Sequence, residues 1–254
     1  MILNTEAIVI ASQKYGDSSK IITFFTKDFG IIKAIAKGSL QIKSKFGSAL
    51  EILSYDNINF YSKPEGHLQL LSDAEILRPF YNLSKSLEHI TIGFALCETI
   101  LKTLDEQYKN PIIFGYLVES LNCLNNLSLN PANILIKFLI NLSYTLGFGI
   151  NFDNNEIENE HSPSKFNKQK YLLNLENGNF KIINNYSNNN ENFDIVDIKL
   201  LKKIYNINNL PINNIGDIEF SMTEISKIIN ILSKYYHYHL GKYFYLESMR
   251  LLVK

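Results

Sequence analysis

The sequence predicts an α+β, multi-domain chain in which a small five-stranded β-barrel is followed by a mainly α-helical domain with a small β-hairpin insertion. Three observations predict it. Polar and apolar residues alternate in short segments up to about residue 78, the hydrophobic period lengthens to near 3.6 from about Asn82, and an Asn-Gly pair parts two short apolar runs in the second half. A chain of 254 residues is one large or two small domains of ordinary size. The change of period places the boundary between 1–80 and 81–254, with 153–192 a polar insertion and hairpin.

The strand segments are 5–12, 19–26, 30–37, 52–61 and 67–75, rich in Ile, Phe, Tyr and Thr. Gly, Pro and Asp in the turns 15–18, 27–30 and 63–66 either tolerate positive φ or preset it. Five such strands suit an oligonucleotide/oligosaccharide-binding type of barrel, a count that sandwiches and SH3-like barrels share. Leu87, Ile90, Phe94, Cys97, Ile100, Leu101 and Leu104 then mark one helix face. Asn110-Pro111 and Asn130-Pro131 each pair a side-chain cap with Pro at the first helical position, opening helices over 111–124 and 131–146, and Gly147 stops the second. Residues 153–170 are polar and aperiodic, so they read as a loop or a locally disordered insertion. Asn177-Gly178 predicts a type I′ hairpin over 171–182, and an Asn-rich loop follows it. Helical period returns at 194–205, and again from Ser221, where Glu224 completes a capping box.

The composition, 46% hydrophobic and 20% charged, excludes collagen-like, wholly disordered and disulfide-stapled classes. Twenty-five basic residues balance 25 acidic ones, so a polyanion site must come from local clustering. Arg78 and Arg250 are the only arginines, which leaves lysine nearly all cationic work. No apolar run reaches the roughly 18 residues of a membrane helix, and the first ten residues lack a basic leader pattern, which reads as a cytoplasmic protein. Cys97 and Cys123 sit in apolar helical stretches without CxxC spacing and read as buried thiols of a reducing compartment.

Catalytic signals are weak. His237 and His239 are two residues apart, which points them to different helix faces, and His67, His89 and His161 lie outside any ligand pattern. Gly147 and Gly149 lack the third glycine of a dinucleotide loop, and neither a P-loop nor a nucleophile elbow occurs. Enzymatic activity therefore has no support in the sequence.

The charge distribution says more. Residues 14–45 carry Lys14, Lys20, Lys27, Lys33, Lys37, Lys43 and Lys45 against only Asp17 and Asp28. On one small barrel such a cluster neutralises phosphates and releases their counterions, and a solvated basic face is the plain alternative. The densest part is 36–47, where Gly38 and Gly47 flank Lys43 and Lys45 next to Lys37, a loop suited to following a phosphate backbone without reading bases. Tyr15, Phe24, Phe25, Phe29, Phe46, Tyr55, Phe60 and Tyr61 interleave with it. A barrel this small needs most of them inside.

Thr5-Glu6-Ala7-Ile8-Val9, Tyr15-Gly16-Asp17-Ser18-Ser19-Lys20-Ile21, Thr26-Lys27-Asp28-Phe29-Gly30, Ala36-Lys37-Gly38 and Lys43-Ser44-Lys45-Phe46-Gly47 resemble, in order and spacing, the N-terminal block of the RecO family of bacterial recombination mediators. Weaker likenesses lie at Asn110-Pro111, from Leu142 to Gly147-Phe148 and from Tyr238 to Arg250. The resemblance implies an N-terminal OB-fold, a helical C-terminal domain and no catalytic turnover. It also implies binding of single- and double-stranded DNA, annealing of complementary strands, nucleoid association, and action with RecR to load RecA on DNA coated by single-strand-binding protein, whose C-terminal tail is a further partner. DNA contact is carried over to Lys20, Lys37, Lys43 and Lys45, with Lys33 added from charge alone. Many members of the family hold zinc with four cysteines after the Leu-Gly motif. Residues 149–190 here contain no cysteine, so neither a zinc site nor any other cofactor is expected. Lysine in place of the family's arginine favours weak, salt-sensitive contact with phosphate. Two other readings stay open: an adaptor whose lysines meet an acidic partner peptide without touching DNA, and an enzyme with an unrecognised site among the carboxylates of the helical domain.

Overall fold

A computed structural model describes residues 1–64, 67–106, 108–152, 170–183 and 193–252. Glu65 and Gly66 of the expected 63–66 turn, the polar stretch 153–169, His161 within it, and the Asn-rich loop 184–192 lie outside the described residues. The chain divides into two compact units, 1–127 with 246–254, and 128–245.

In the first unit, β1 (Ile2–Tyr15), β2 (Ser19–Thr26), β3 (Gly30–Ala36), β4 (Tyr55–Tyr61) and β5 (Gln69–Arg78) close a barrel in the order β1-β2-β3-β5-β4, with β4 returning to β1. This is the OB-like topology expected. The neighbours are antiparallel except at the seam, where β3 and β5 run parallel for only Ala34↔Gln69 and Ile35↔Leu70. β1 runs longer at both ends than the expected 5–12, and a bulge between Val9 and Ala11 bends it. One strand can then serve two neighbours, β4 along its first half and β2 along its second. Ala7, Val9, Ile22, Phe24, Ala34, Ala36, Ile58, Phe60, Leu71 and Ala74 fill the interior.

Residues between β3 and β4 are not a free loop. Phe46, Ala49 and Leu50 join the same core, and backbone bonds run from Leu40 N to Ser18 O (2.9 Å), from Leu53 N to Val9 O (2.9 Å) and from Val9 N to Ser54 O (3.0 Å). Leu53 is held at φ 77°, a left-handed conformation that burdens a branched side chain. Its side chain fills the space that a Cβ on Gly93 would need.

Two helices, α1 (Leu87–Thr103) and α2 (Pro111–Leu124), complete this unit. Ser86 and Asn110 cap them, Asn110 Oδ1 accepting from Ile112 N and Ile113 N with Pro111 at the first position, as the sequence predicts. Phe114 of α2 meets Phe25 and Tyr55 on the barrel's outer wall, at 5.7 and 6.2 Å between ring centroids. The closing 3-10 turn, Glu247–Leu251, docks on α1 through Glu98, whose carboxylate accepts from Glu247 N (2.8 Å) and Ser248 N (3.0 Å). Cys97 and Cys123 are buried, and burial pushes their thiols up to about 12 and about 11.

The second unit holds α3 (Pro131–Thr145), a sheet of β6 (Lys170–Asn174), β7 (Phe180–Ile183) and β8 (Phe193–Asp197) in the order β7-β6-β8, then α4 (Ile198–Asn209) and α5 (Met222–Leu240). Three expectations change here. The insertion is a three-stranded sheet rather than a hairpin alone. The segment expected as helix from 194 opens as β8, since pairing with β6 occupies its backbone until Asp197, whose carboxylate accepts Leu200 N (2.9 Å) and starts α4. The β6–β7 connection is longer than a two-residue type I′ turn: Leu173 pairs with Phe180, and of the Asn177-Gly178 pair only Gly178 has positive φ, 70°. Asn174 and Asn177 side chains accept Glu176 N and Asn179 N, which builds the turn from Asx bonds instead. Gly178 is obligatory by contact as well, because a Cβ there would sit 2.7 Å from Gly149 O. The capping box at Ser221 and Glu224 forms, and Gly241 at φ 63° ends α5. No helix among the described residues is long and apolar enough to cross a membrane.

Candidate nucleic-acid interface

Strand register decides where the lysines go. Lys14 of β1 lies opposite Lys20 of β2, and Lys20 lies opposite Ala36, the last residue of β3, so Lys14 and Lys20 sit on adjacent strands at the end of the barrel where Lys37 opens the β3–β4 connection. Cross-strand partners share a face, and Lys20 alternates with the core residues Ile22 and Phe24, so Lys14 and Lys20 fall on the interior-facing side where the strands leave the core. The β3–β4 connection begins here. Gly38, at φ 72°, turns the chain, and the Leu40–Ser18 bond lays it over the β1–β2 turn, bringing Lys43 and Lys45 to the same region.

The five candidate lysines differ in what already holds them. Lys20 is largely covered and pairs with exposed Glu51 at 3.0 Å. Lys45 donates to Ser72 O, a carbonyl left out of the ladder where β5 bulges between Leu71 and Asp73, and its ammonium stands 5.2 Å from the Phe46 ring. Lys45 therefore clasps the connection to the barrel. Lys33 lies opposite Thr23, on the outer face, and pairs with Glu106, so the structure does not bring it to the other four. Lys37 and Lys43 are exposed with no ion pair among the described residues, as is Lys14, which counts toward the cluster although it stands outside the five. The Lys14–Lys20 symmetry about the 15–18 turn is the sequence signal that could have added it. Lys27, by contrast, is tied to Glu6 at 2.6 Å. Hydrogen bonds from Lys27 and Tyr55 hold the Glu6 carboxyl below its usual range, while burial and then Glu6 push Tyr55 up to about 12.

At this barrel end Asp17 of the β1–β2 turn and Glu51, the partner of Lys20, are exposed carboxylates. Surface pairs such as Lys20–Glu51 contribute only about 0–1 kcal/mol, so an incoming phosphate can exchange with Glu51 at small cost. Of the eight aromatics, Phe24, Phe25, Phe46 and Phe60 are buried and Phe29 and Tyr55 half-buried. Tyr15 (53% exposed) stands in the turn beside the lysines, and Tyr61 is exposed elsewhere, where it pairs with Ile2.

Buried chemistry elsewhere is structural. His239 stacks on Phe148 at 4.7 Å between ring centroids, and burial lowers its pKa. His237 Nδ1 lies 2.9 Å from Lys242 O, and His89 Nδ1 lies 2.8 Å from Ser86 Oγ at the start of α1. Among the described residues no group of three or more His, Cys, Asp or Glu side chains converges as a metal site. Asp56 of β4 is the exceptional acid. It is wholly buried, Oδ1 accepts from Ser54 Oγ at 2.5 Å, Oδ2 meets no hydrogen-bond donor, and burial pushes its pKa up to about 7.

Residues 1–80 match the family model described as recombination protein O N terminal, and residues 84–248 match the one described as recombination protein O C terminal. A DNA repair protein RecO from Salinibacter ruber is 32% identical over 157 residues, covering 62% of this chain and 60% of the relative. Another, from Chloroherpeton thalassium, is 34% identical over 152 residues, covering 60% and 59%. The chain thus aligns with about 60% of the length of these relatives.

Proposed function

The chain belongs to the RecO family, and on that footing we propose that it acts in DNA repair as a DNA-binding recombination mediator, holding strands against the lysine-bearing end of its barrel. The observation that supports this reading is the cross-strand pair Lys14 and Lys20, with Lys37 directly after β3 at the same barrel end and the Lys43 turn beyond it. Each ammonium that takes the place of condensed counterions adds a favourable, salt-dependent increment of binding on single- and double-stranded DNA alike. Two complementary strands held there repel one another less. Base pairing supplies the remaining free energy, so annealing proceeds without a catalytic group. Lysine meets phosphate as a point charge, which suits sequence-independent contact. In this reading the protein works with RecR, receives single-strand-binding protein through its acidic tail, and passes the strand on to RecA.

The test is a Lys37→Glu, Lys43→Glu double variant, assayed for annealing of complementary oligonucleotides and for single-strand affinity at several salt concentrations. Annealing slows, and the slope of log affinity against log salt shrinks by about 1.4, from roughly 0.7 for each phosphate contact on a single strand. An unchanged slope with unchanged annealing refutes the site.

A further inference from the structure

We infer that Ile42 contacts nucleobases directly and gives the barrel end its preference for unpaired strands, an inference that rests on the interface proposed above. Ile42 is fully exposed, at 105% of its reference area, while Leu40 (40%) and Tyr15 (53%) are exposed at the same end of the barrel. A single exposed apolar side chain is ordinary, but three grouped among free lysines form a surface of a particular kind.

The placement of Ile42 is fixed by the chain around it. The Ser44 N to Gln41 O bond (3.0 Å) closes a turn whose two central residues are Ile42 and Lys43, so an aliphatic and a cationic side chain share its corner. Gln41 N to Gly38 O (3.1 Å) and Leu40 N to Ser18 O (2.9 Å) hold the near side. On the far side Lys45 is clasped to Ser72 O, and Phe46 is buried in the barrel core. A corner braced on both sides presents Ile42 outward with little conformational entropy left to lose on binding.

The ligand that matches such a corner carries apolar faces and anionic groups in alternation. An unpaired nucleotide strand does so, with the faces of its bases beside its phosphates. A duplex offers the phosphates but stacks its base faces away. Lys37 and Lys43 therefore serve both forms of DNA, whereas Ile42 gains only where bases are open.

The intact chain carrying Ile42→Ser, Ile42→Phe, or the Lys37→Glu, Lys43→Glu pair is titrated by fluorescence anisotropy against a labelled oligothymidylate and a labelled duplex. Ile42→Ser weakens single-strand binding about tenfold, about 1.4 kcal/mol, and leaves duplex affinity and the salt slope unchanged. Ile42→Phe strengthens single-strand binding, because a ring stacks on bases better than an aliphatic chain. Single-strand affinity unchanged in both Ile42 variants, or an equal loss on duplex, overturns the inference while the lysine pair still reports on the interface. Loss of binding to an acidic, leucine-containing peptide in Ile42→Ser, with strand affinity intact, assigns the corner to a protein partner and overturns it too. If the lysine pair also leaves strand affinity untouched, the interface itself falls.

Discussion

Replacing Asp56 by Asn should make the protein's stability respond to pH in a way that exposes the buried carboxyl. Asp56 has no exposed surface, and its Oδ2 lacks a donor, so the folded barrel disfavours its charged form. Its pKa rises from an ordinary 3.8 to about 7. A folded-state pKa above the unfolded one means that Asp56 contributes fully below pH 3.8. That contribution fades as pH climbs through 7, and above this the barrel bears the whole penalty. That rise corresponds to about 4 kcal/mol between the two plateaus. Asn keeps the acceptor for Ser54 Oγ but cannot ionise. Its buried amide N–H₂ needs a partner at every pH, a constant cost of about 1–3 kcal/mol that cancels when the two pH values are compared. Urea unfolding followed by circular dichroism, on both proteins from pH 4 to pH 8, should show the variant gaining on the parent by up to about 4 kcal/mol across the range. Parallel stability curves would mean that Asp56 titrates as an exposed acid, and the argument from its burial would collapse.

Other perturbations follow from particular contacts. Lys45→Ala removes the donor to Ser72 O and the contact with Phe46, so it should lower thermal stability by about 1 kcal/mol while reducing the salt slope of DNA binding less than either Lys37→Ala or Lys43→Ala. A greater loss of slope than theirs would restore Lys45 as a phosphate contact. Gly178→Ala combines a left-handed φ of 70° with a Cβ 2.7 Å from Gly149 O and should cost about 2 kcal/mol or more in a thermal melt. A melt matching the parent's would show that the β6–β7 turn can shift to make room.

Local signals were legible in the sequence wherever one segment decides its own structure. The Asn110-Pro111 and Asn130-Pro131 caps, the Ser221 capping box and the short Ile-, Phe- and Thr-rich runs of β2 and β3 each rest on neighbouring residues, and the helices and strands follow them closely. Signals that depend on distant partners were not legible. β8 reads as helix because its pairing with β6 is invisible locally, although Asp197 as a cap fixes the true start of α4. The two ends of β1 lie hidden in the same way, since pairing with β4 at residues 2–4 and with β2 at residues 13–15 is what extends it. Among the lysines, the sequence shows how many there are but not which are occupied. Glu51, Glu106 and the bulged Ser72 carbonyl, which engage Lys20, Lys33 and Lys45, come from remote parts of the chain. The exposure of Ile42 is hidden for a similar reason, since an isoleucine in a basic loop looks like core until its turn is seen to point outward.

The most direct measurement is amide hydrogen exchange on the whole chain with and without a saturating single-stranded oligonucleotide at low salt. Slowed exchange at the Tyr15–Ser18 turn and across residues 38–47 is the predicted result, because a strand lying over Lys14, Lys37 and Lys43 must cover those amides. Protection confined to residues 128–245, with that end of the barrel exchanging as freely as before, would contradict the account.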